Sequence, residues 1–215
     1  EEEHIINTII KLLKASKITK KNIEIIICDD ASTDNSSKVV EEFIKNNFYK
    51  NILIINNKKN CGIAENFYKI LEISNGKYFR MVCGDDVDLL ETHIKIFQNL
   101  NDADIIIPYY VKVEFKSKFR IMMSYIFTKI VNTLNGLKIK YYNGSVAFKK
   151  ELLTNMRFKS NGFGFQAEIL TFLLLKKNSY REIKANALHR NSSNAINFKN
   201  ILKVLRILFK ILKLR

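Results

Sequence analysis

Apolar positions along the first half of the chain follow two rhythms in alternation. "HIINTIIKLLKAS" (4–16) carries them at helical spacing, and "IEIIICDD" (23–30) is an unbroken apolar run that ends in two carboxylates. Such a run, short and bounded by polar residues, predicts a parallel strand covered on both faces. "STDNSSKVVEEFIKNN" (32–47) opens with Ser, Thr and Asp at helix-start positions and continues as a helix. The pattern then predicts a strand at 51–57, a helix at 62–74, a strand at 77–83, a helix at 88–100 and a strand at 103–110. Strands and helices in strict alternation predict an α/β fold, a doubly wound, mainly parallel sheet flanked by helices.

In sheets of that kind ligands bind beyond the carboxyl ends of the strands. Two acidic pairs, Asp29–Asp30 and Asp85–Asp86, fall at such ends, and parallel strands bring them to one crevice. A solvated turn with helix-capping residues would account for either pair alone. Two pairs on one sheet favour ligand chemistry. The second pair, beside Gly84, offers hard oxygen ligands of the kind Mg²⁺ or Mn²⁺ takes together with phosphate oxygens.

Beyond residue 111 the rhythm changes. "RIMMSYIFTKIVNTLNG" (120–136) reads as an amphipathic helix, and no element is assigned to "YYNGSVAFKKELL" or the glycine-rich stretch after it. In the last stretch Lys199, Lys203, Arg206, Lys210 and Lys213 form one narrow cationic stripe among Ile, Leu, Val and Phe. Such an arc predicts a basic amphipathic helix over 197–215 that lies on a membrane surface.

Charge and cysteine content narrow the classes. Lys and Arg number 36 against 21 Asp and Glu, a formal charge of +15, which suits nucleic acid, anionic membrane or phosphorylated ligands. Cys28, Cys61 and Cys83 are too few and too far apart for a disulfide framework or a thiolate zinc site. His4, His93 and His189 are isolated in sequence and read as surface or core residues. No run of eighteen apolar residues predicts a membrane span.

"IEIIICDDASTDNSSKVVEEF", followed by "NKKNCGIAENFYKILEISNGKYFRMVCGDDVD", resembles the donor half of family 2 glycosyltransferases, which have the GT-A fold. The shared landmarks are a DDxSxD loop, an Asn-x-Gly with a later Ala and Asn, and Gly-Lys-Tyr ahead of a metal motif. The resemblance implies that Asp29, Asp30, Ser32, Asp34, Asn60, Gly62, Asn66 and Asp85 bind a nucleotide-sugar. It further implies that Asp85 and Asp86 hold Mg²⁺ or Mn²⁺. The second half is similar to the dolichyl- or polyprenyl-phosphate sugar transferases. That similarity implies Asn143, Gly144 and Ser145 at the sugar, with Glu168, Arg190 and Arg120 as the catalytic group. A lipid phosphate is already an anionic nucleophile and needs cations, which the two arginines would supply. A hydroxyl acceptor needs a base, and Glu168 stands closest to its usual place.

Three departures stand beside the resemblance. Cys83 occupies the place of the first metal-motif Asp, Tyr141 stands where an Asp is common, and "HRNSSNA" lacks the usual Gly after the Arg. The start "EEEH" reads as residues just past the family's first strand, so the chain reads as a fragment whose sheet would carry unpaired backbone groups. The expectation is a GT-A domain over 1–196, with 1–110 for the nucleotide-sugar and 111–196 for the acceptor. It would lie at the cytoplasmic membrane face and serve a lipid-phosphate or glycan acceptor, without nucleic acid. The competing classes are a phosphoryl-accepting signalling domain, which leaves everything after residue 111 unexplained, and a basic module binding nucleic acid or membrane. No nucleic-acid motif supports the latter, and acids at the strand ends would repel phosphate.

Overall fold

The computed structural model describes residues 1–114, 118–154, 156 and 164–188. In chain order these form α1 (Ile5–Thr19), β1 (Ile25–Asp29), α2 (Ser36–Asn47), β2 (Ile52–Asn56), α3 (Ile63–Ile73) and β3 (Tyr78–Arg80). There follow α4 (Leu90–Gln98), β4 (Ile105–Glu114), α5 (Lys118–Asn135), β5 (Ala147–Lys149), α6 (Phe165–Leu175) and β6 (Tyr180–Leu188). Arg190 and the predicted helix at 197–215 lie outside the described residues, as does the side chain of Arg120.

The alternation read from the sequence is present, with shifted ends. The helix expected from residue 32 starts at Ser36, because the Asp34 carboxylate accepts the Ser36 N–H at 3.1 Å and holds 32–35 as a loop. The strand expected over 77–83 ends at Arg80, and the residues after it leave the ladder. The strand expected to end at residue 110 runs on to Glu114.

The strands form two sheets. β1 and β2 pair in parallel, Ile25 opposite Ile52 through Asp29 opposite Asn56. The second sheet has the order β3-β5-β4-β6, with β5 antiparallel to both neighbours and β4 parallel to β6. Ile105 and Ile107 of β4 face one apolar cluster and Ile106 faces another, so the strand is covered on both sides. That double burial is why it reads as continuous apolar sequence.

Among the described residues β1 has a ladder partner only in β2, and β3 only in β5. Their other edges border a common opening, lined by Ile26 and Cys28 of β1 and by Tyr78 and Arg80 of β3. The expectation of unpaired backbone groups in the sheet concerns these two edges. Helix α1 spans the division. Its Ile9 packs with Ile25, Val40 and Ile52 on the β1–β2 side, and its Ala15 packs with Ile96, Ile106 and Ile183 on the other.

Candidate active site

The strand ends arrange the acidic residues in two neighbouring clusters. The first surrounds Asp30, just past β1. Its Oδ1 accepts the Cys61 N–H at 2.8 Å and the Asn57 side-chain amide at 2.9 Å, and its Oδ2 accepts the Gly62 N–H at 2.8 Å. Gly62 precedes α3 with φ of +86°, a left-handed conformation that a side chain would strain, so the glycine lets the helix N-terminus face the carboxylate. Burial alone would raise the Asp30 pKa, but these hydrogen bonds, with Asn66 adding to them, hold it down at about 2. Asn57 also donates to Asn66 Oδ1 at 2.7 Å, and the Asn60 amide reaches the Asp30 carbonyl at 3.4 Å. Asp30, Asn60, Gly62 and Asn66, four of the residues singled out in sequence, therefore meet. Asp29 turns instead to the Ser32 N–H at 3.1 Å, which ties both residues to the loop. Asp34 accepts the Glu2 N–H at 3.3 Å as well as that of Ser36, and serves the start of α2.

The second cluster lines a cavity of about 220 Å³ past β3. Asp85, Asn143, Gly144 and Ser145 share its wall with Tyr141 and Gln166, while Met81, Val82 and Cys83 line both this cavity and the one beside Asp30. The two clusters thus sit on either side of one strip of backbone. Gly144 lies so close to β4 that a Cβ would stand 2.6 Å from the Pro108 carbonyl oxygen.

Three carboxylates within four residues have different surroundings here. Asp86, with φ of +57°, is buried, ion-paired to Lys11 at 2.7 Å, and its N–H donates to Thr8 Oγ1 at 3.1 Å. Asp88 is buried against Arg80 at 2.8 Å and accepts from Ser145 Oγ at 2.6 Å and Tyr110 at 2.7 Å. Burial opposes its charge, yet Arg80 and the hydroxyl donors hold its pKa below the usual range. Asp85 has no ion pair among the described residues. Burial raises its pKa, Glu1 and Asp88 push the same way, and the Val87 N–H opposes them only in part. Cys83 lines the cavity and is exposed, and desolvation of its thiol by the surrounding residues, with Asp85 and Asp88 nearby, pushes it up to about 12.

A lone desolvated carboxylate beside further acids fits a divalent cation whose remaining ligands come from a bound molecule. Asp85 would hold it. Asp86, expected to share that role, is committed to Lys11. Among the described residues no three His, Cys, Asp or Glu side chains converge, so the donor set suits a metal completed by a diphosphate rather than an all-protein cage.

Behind the cavity lies a polar network of which the sequence singled out only Ser145. Arg80 donates to the Ser145 carbonyl at 3.0 Å and to Ser145 Oγ at 2.7 Å, besides its pair with Asp88. It also meets His93 Nδ1 at 2.9 Å. Guanidinium only donates, so Nδ1 is the acceptor and the imidazole proton sits on Nε2. A charged Arg in the middle of "YFRMVC" was the available signal, since a buried strand tolerates one only with a partner. Glu168 is not among the residues lining the cavity. Gln166 is, and two residues further along α6 is a rotation of about 200°. Glu168 is 5% exposed, with Oε2 unpartnered among the described residues.

The sequence profile of glycosyl transferase family 2 matches residues 1–184. The chain belongs to this family. Its sequence is 25% identical over 217 residues to an uncharacterized protein of Methanocaldococcus jannaschii, covering 95% of the chain and 92% of that protein. It is 28% identical over 194 residues to the minor teichoic acid biosynthesis protein GgaA of Bacillus subtilis, covering 83% of the chain but 42% of the relative. It is also 24% identical over 213 residues to the UDP-Glc:alpha-D-GlcNAc-diphosphoundecaprenol beta-1,3-glucosyltransferase WfaP of Escherichia coli, covering 88% and 75%. Among solved structures, glucosyl-3-phosphoglycerate synthase of Mycobacterium tuberculosis, in complex with Mn²⁺, UDP and phosphoglyceric acid, superposes with a TM-score of 0.70. That match covers 97% of this chain and 75% of the other at 16% identity, which establishes a common fold. As a family 2 glycosyltransferase the chain is an enzyme of nucleotide-sugar transfer on a GT-A scaffold.

Proposed function

We propose that this family 2 glycosyltransferase moves a sugar from a nucleotide-diphospho-sugar to a hydroxyl of a lipid-linked glycan at a membrane surface. One observation carries the reading of the donor site. The uncompensated Asp85 carboxyl and the Asn143–Ser145 wall share a cavity that a single backbone strip separates from the Asp30 cluster. A nucleotide on the Asp30 side would lay its diphosphate across residues 83–85 and its sugar against Asn143, Gly144, Ser145 and Gln166. A divalent cation on Asp85 would supply Lewis-acid stabilisation of the diphosphate leaving group. The chain's own part is positioning. The Arg80–Asp88 pair fixes Ser145 from behind, and the Gly144 contact with β4 fixes the backbone of the sugar-side wall.

A hydroxyl acceptor is supported by the pairing of Lys11 and Arg80, beside and behind the cavity, with carboxylates of the chain. Such an acceptor would need a carboxylate base, and Glu168, which the resemblance implies for that role, is not on the cavity wall. The relative WfaP acts on a sugar linked to diphosphoundecaprenol, which is an acceptor of the proposed chemistry. The roles first expected of Arg120 and Arg190 in phosphate binding belong to the alternative, a polyprenyl-phosphate acceptor.

The test is transfer from a panel of UDP- and GDP-sugars to a synthetic lipid-diphosphate-linked monosaccharide, with Mg²⁺ or Mn²⁺. Product should form only with metal, and Asp85→Asn should lower turnover by about 10²–10³-fold. Full turnover in that variant would overturn the metal role. Transfer to polyprenyl monophosphate instead would overturn the acceptor assignment.

A further inference from the structure

Helix α5 has two unlike sides. The inner side is pinned to the segment that leads into the cavity wall. Asn132 Oδ1 accepts the Ile139 N–H at 3.0 Å and the Tyr142 hydroxyl at 2.8 Å, its amide donates to the Ile139 carbonyl at 2.8 Å, and Val131 is fully buried. Phe127 meets the Tyr142 ring edge-on, with centroids 6.4 Å apart. The outer side exposes large apolar side chains: Ile121 52%, Met122 49%, Tyr125 66%, Ile126 41% and Ile130 36%. Residues 121 and 125, and 122, 126 and 130, form two adjacent rows at i, i+4 spacing, so this is one continuous patch rather than scattered exposure.

The charge of the helix indicates what the patch meets. Lys118, Arg120 and Lys129 belong to α5, which contains no Asp or Glu. Apolar rows on a helix whose sequence carries three cations and no acid, with a Tyr among them, match the composition of a helix that lies in the headgroup region of an anionic bilayer. No helix of the described residues is long and apolar enough to cross a membrane, so such contact would be in the plane of the surface. We propose that the outer face of α5 docks this enzyme on an anionic lipid bilayer. Tyr141, which follows the segment pinned by α5 and is hydrogen-bonded by Ser124 of that helix, lines the cavity. Docking through α5 therefore places the sugar-side wall at the membrane, where a lipid-linked glycan presents its hydroxyl. In that consequence the inference rests on the proposed acceptor; the binding itself does not.

The experiment is flotation of the full chain with vesicles of phosphatidylcholine, alone or mixed with phosphatidylglycerol. The triple variant Ile121→Ser, Tyr125→Ser, Ile126→Ser alters only exposed side chains, and its melting temperature checks that the fold survives. Wild type should float with the anionic vesicles and the triple variant should bind about tenfold more weakly. Lys129→Glu should weaken binding to anionic vesicles without changing the little seen with neutral ones. Unchanged flotation of the triple variant overturns the proposal. So does a wild-type dimer that the triple variant converts to a monomer while neither floats, since the face is then a self-contact. Water-soluble readouts separate this from the function: nucleotide-sugar hydrolysis should be equal in wild type and variant. Vesicle binding lost in the variant, with no transfer by either protein to a lipid-linked sugar, would keep the docking and remove the acceptor assignment.

Discussion

Asp85, Asp86 and Asp88 differ less in sequence than in what each carboxylate touches, and their substitutions should separate accordingly. Asp88→Asn leaves the buried Arg80 guanidinium without its counter-charge, and should cost about 3–5 kcal/mol in denaturant unfolding. Asp85 balances no cation among the described residues, so Asp85→Asn should leave unfolding nearly unchanged. Its effect should appear only with ligand: UDP with Mn²⁺ should stabilise the wild type by about 2.7 kcal/mol at a hundredfold excess over Kd, and the variant by much less. Differential scanning fluorimetry with UDP alone, Mn²⁺ alone and both reads that difference. Gly144→Ala belongs at the same scale. The added methyl would stand 2.6 Å from the Pro108 carbonyl, an atom of the β4 backbone that cannot swing aside, so the 143–145 wall must shift. A shift of about 1 Å in a positioning wall should lower kcat by about a hundredfold, with a smaller change in KM for the nucleotide-sugar.

Single elements carry the polar network and its response to pH. Arg80 from β3, Asp88 from the loop before α4, His93 from α4, and Tyr110 from β4 are joined through Ser145 beside β5, with Lys11 of α1 reaching the Asp88 carbonyl at 3.3 Å. Burial, then the Arg80 charge, lowers the His93 pKa to about 3, with Lys11 adding to the effect and Asp88 opposing it. The unfolded chain binds a proton on this imidazole near pH 6.5 and the folded one does not, so stability falls as pH drops below about 6.5 toward 3. The melting temperature of wild type should therefore decline over that window, and His93→Leu should flatten part of the slope. This network was only partly legible in sequence. The Asp30 cluster was, because its members lie at consecutive strand ends that the βα alternation brings together. The Arg80 partners come from positions up to 65 residues away, through β5, a strand of three residues with too little alternation to be read. Glu168 rests on the resemblance alone, and a motif match does not carry the rotation of α6, which is buried nearly all round and offers no polar stripe from which to read it.

At the scale of the whole molecule the alternating sheet, the family and the crevice were legible from the chain, while the antiparallel placement of β5 between β3 and β4 was not. The two sheets share no hydrogen-bonded rung among the described residues, and side chains of α1 pack against both. The opening between the β1 and β3 edges reaches the Asp30 cluster on one side and the 81–84 strip on the other. In the proposed pose one nucleotide diphosphate would touch both, and its binding should slow amide exchange in β1 and β2 more than in β4 and β6. Protection that rises equally in all four strands would put the donor elsewhere. A donor seated there would work as a splint, tying the two acidic clusters to each other.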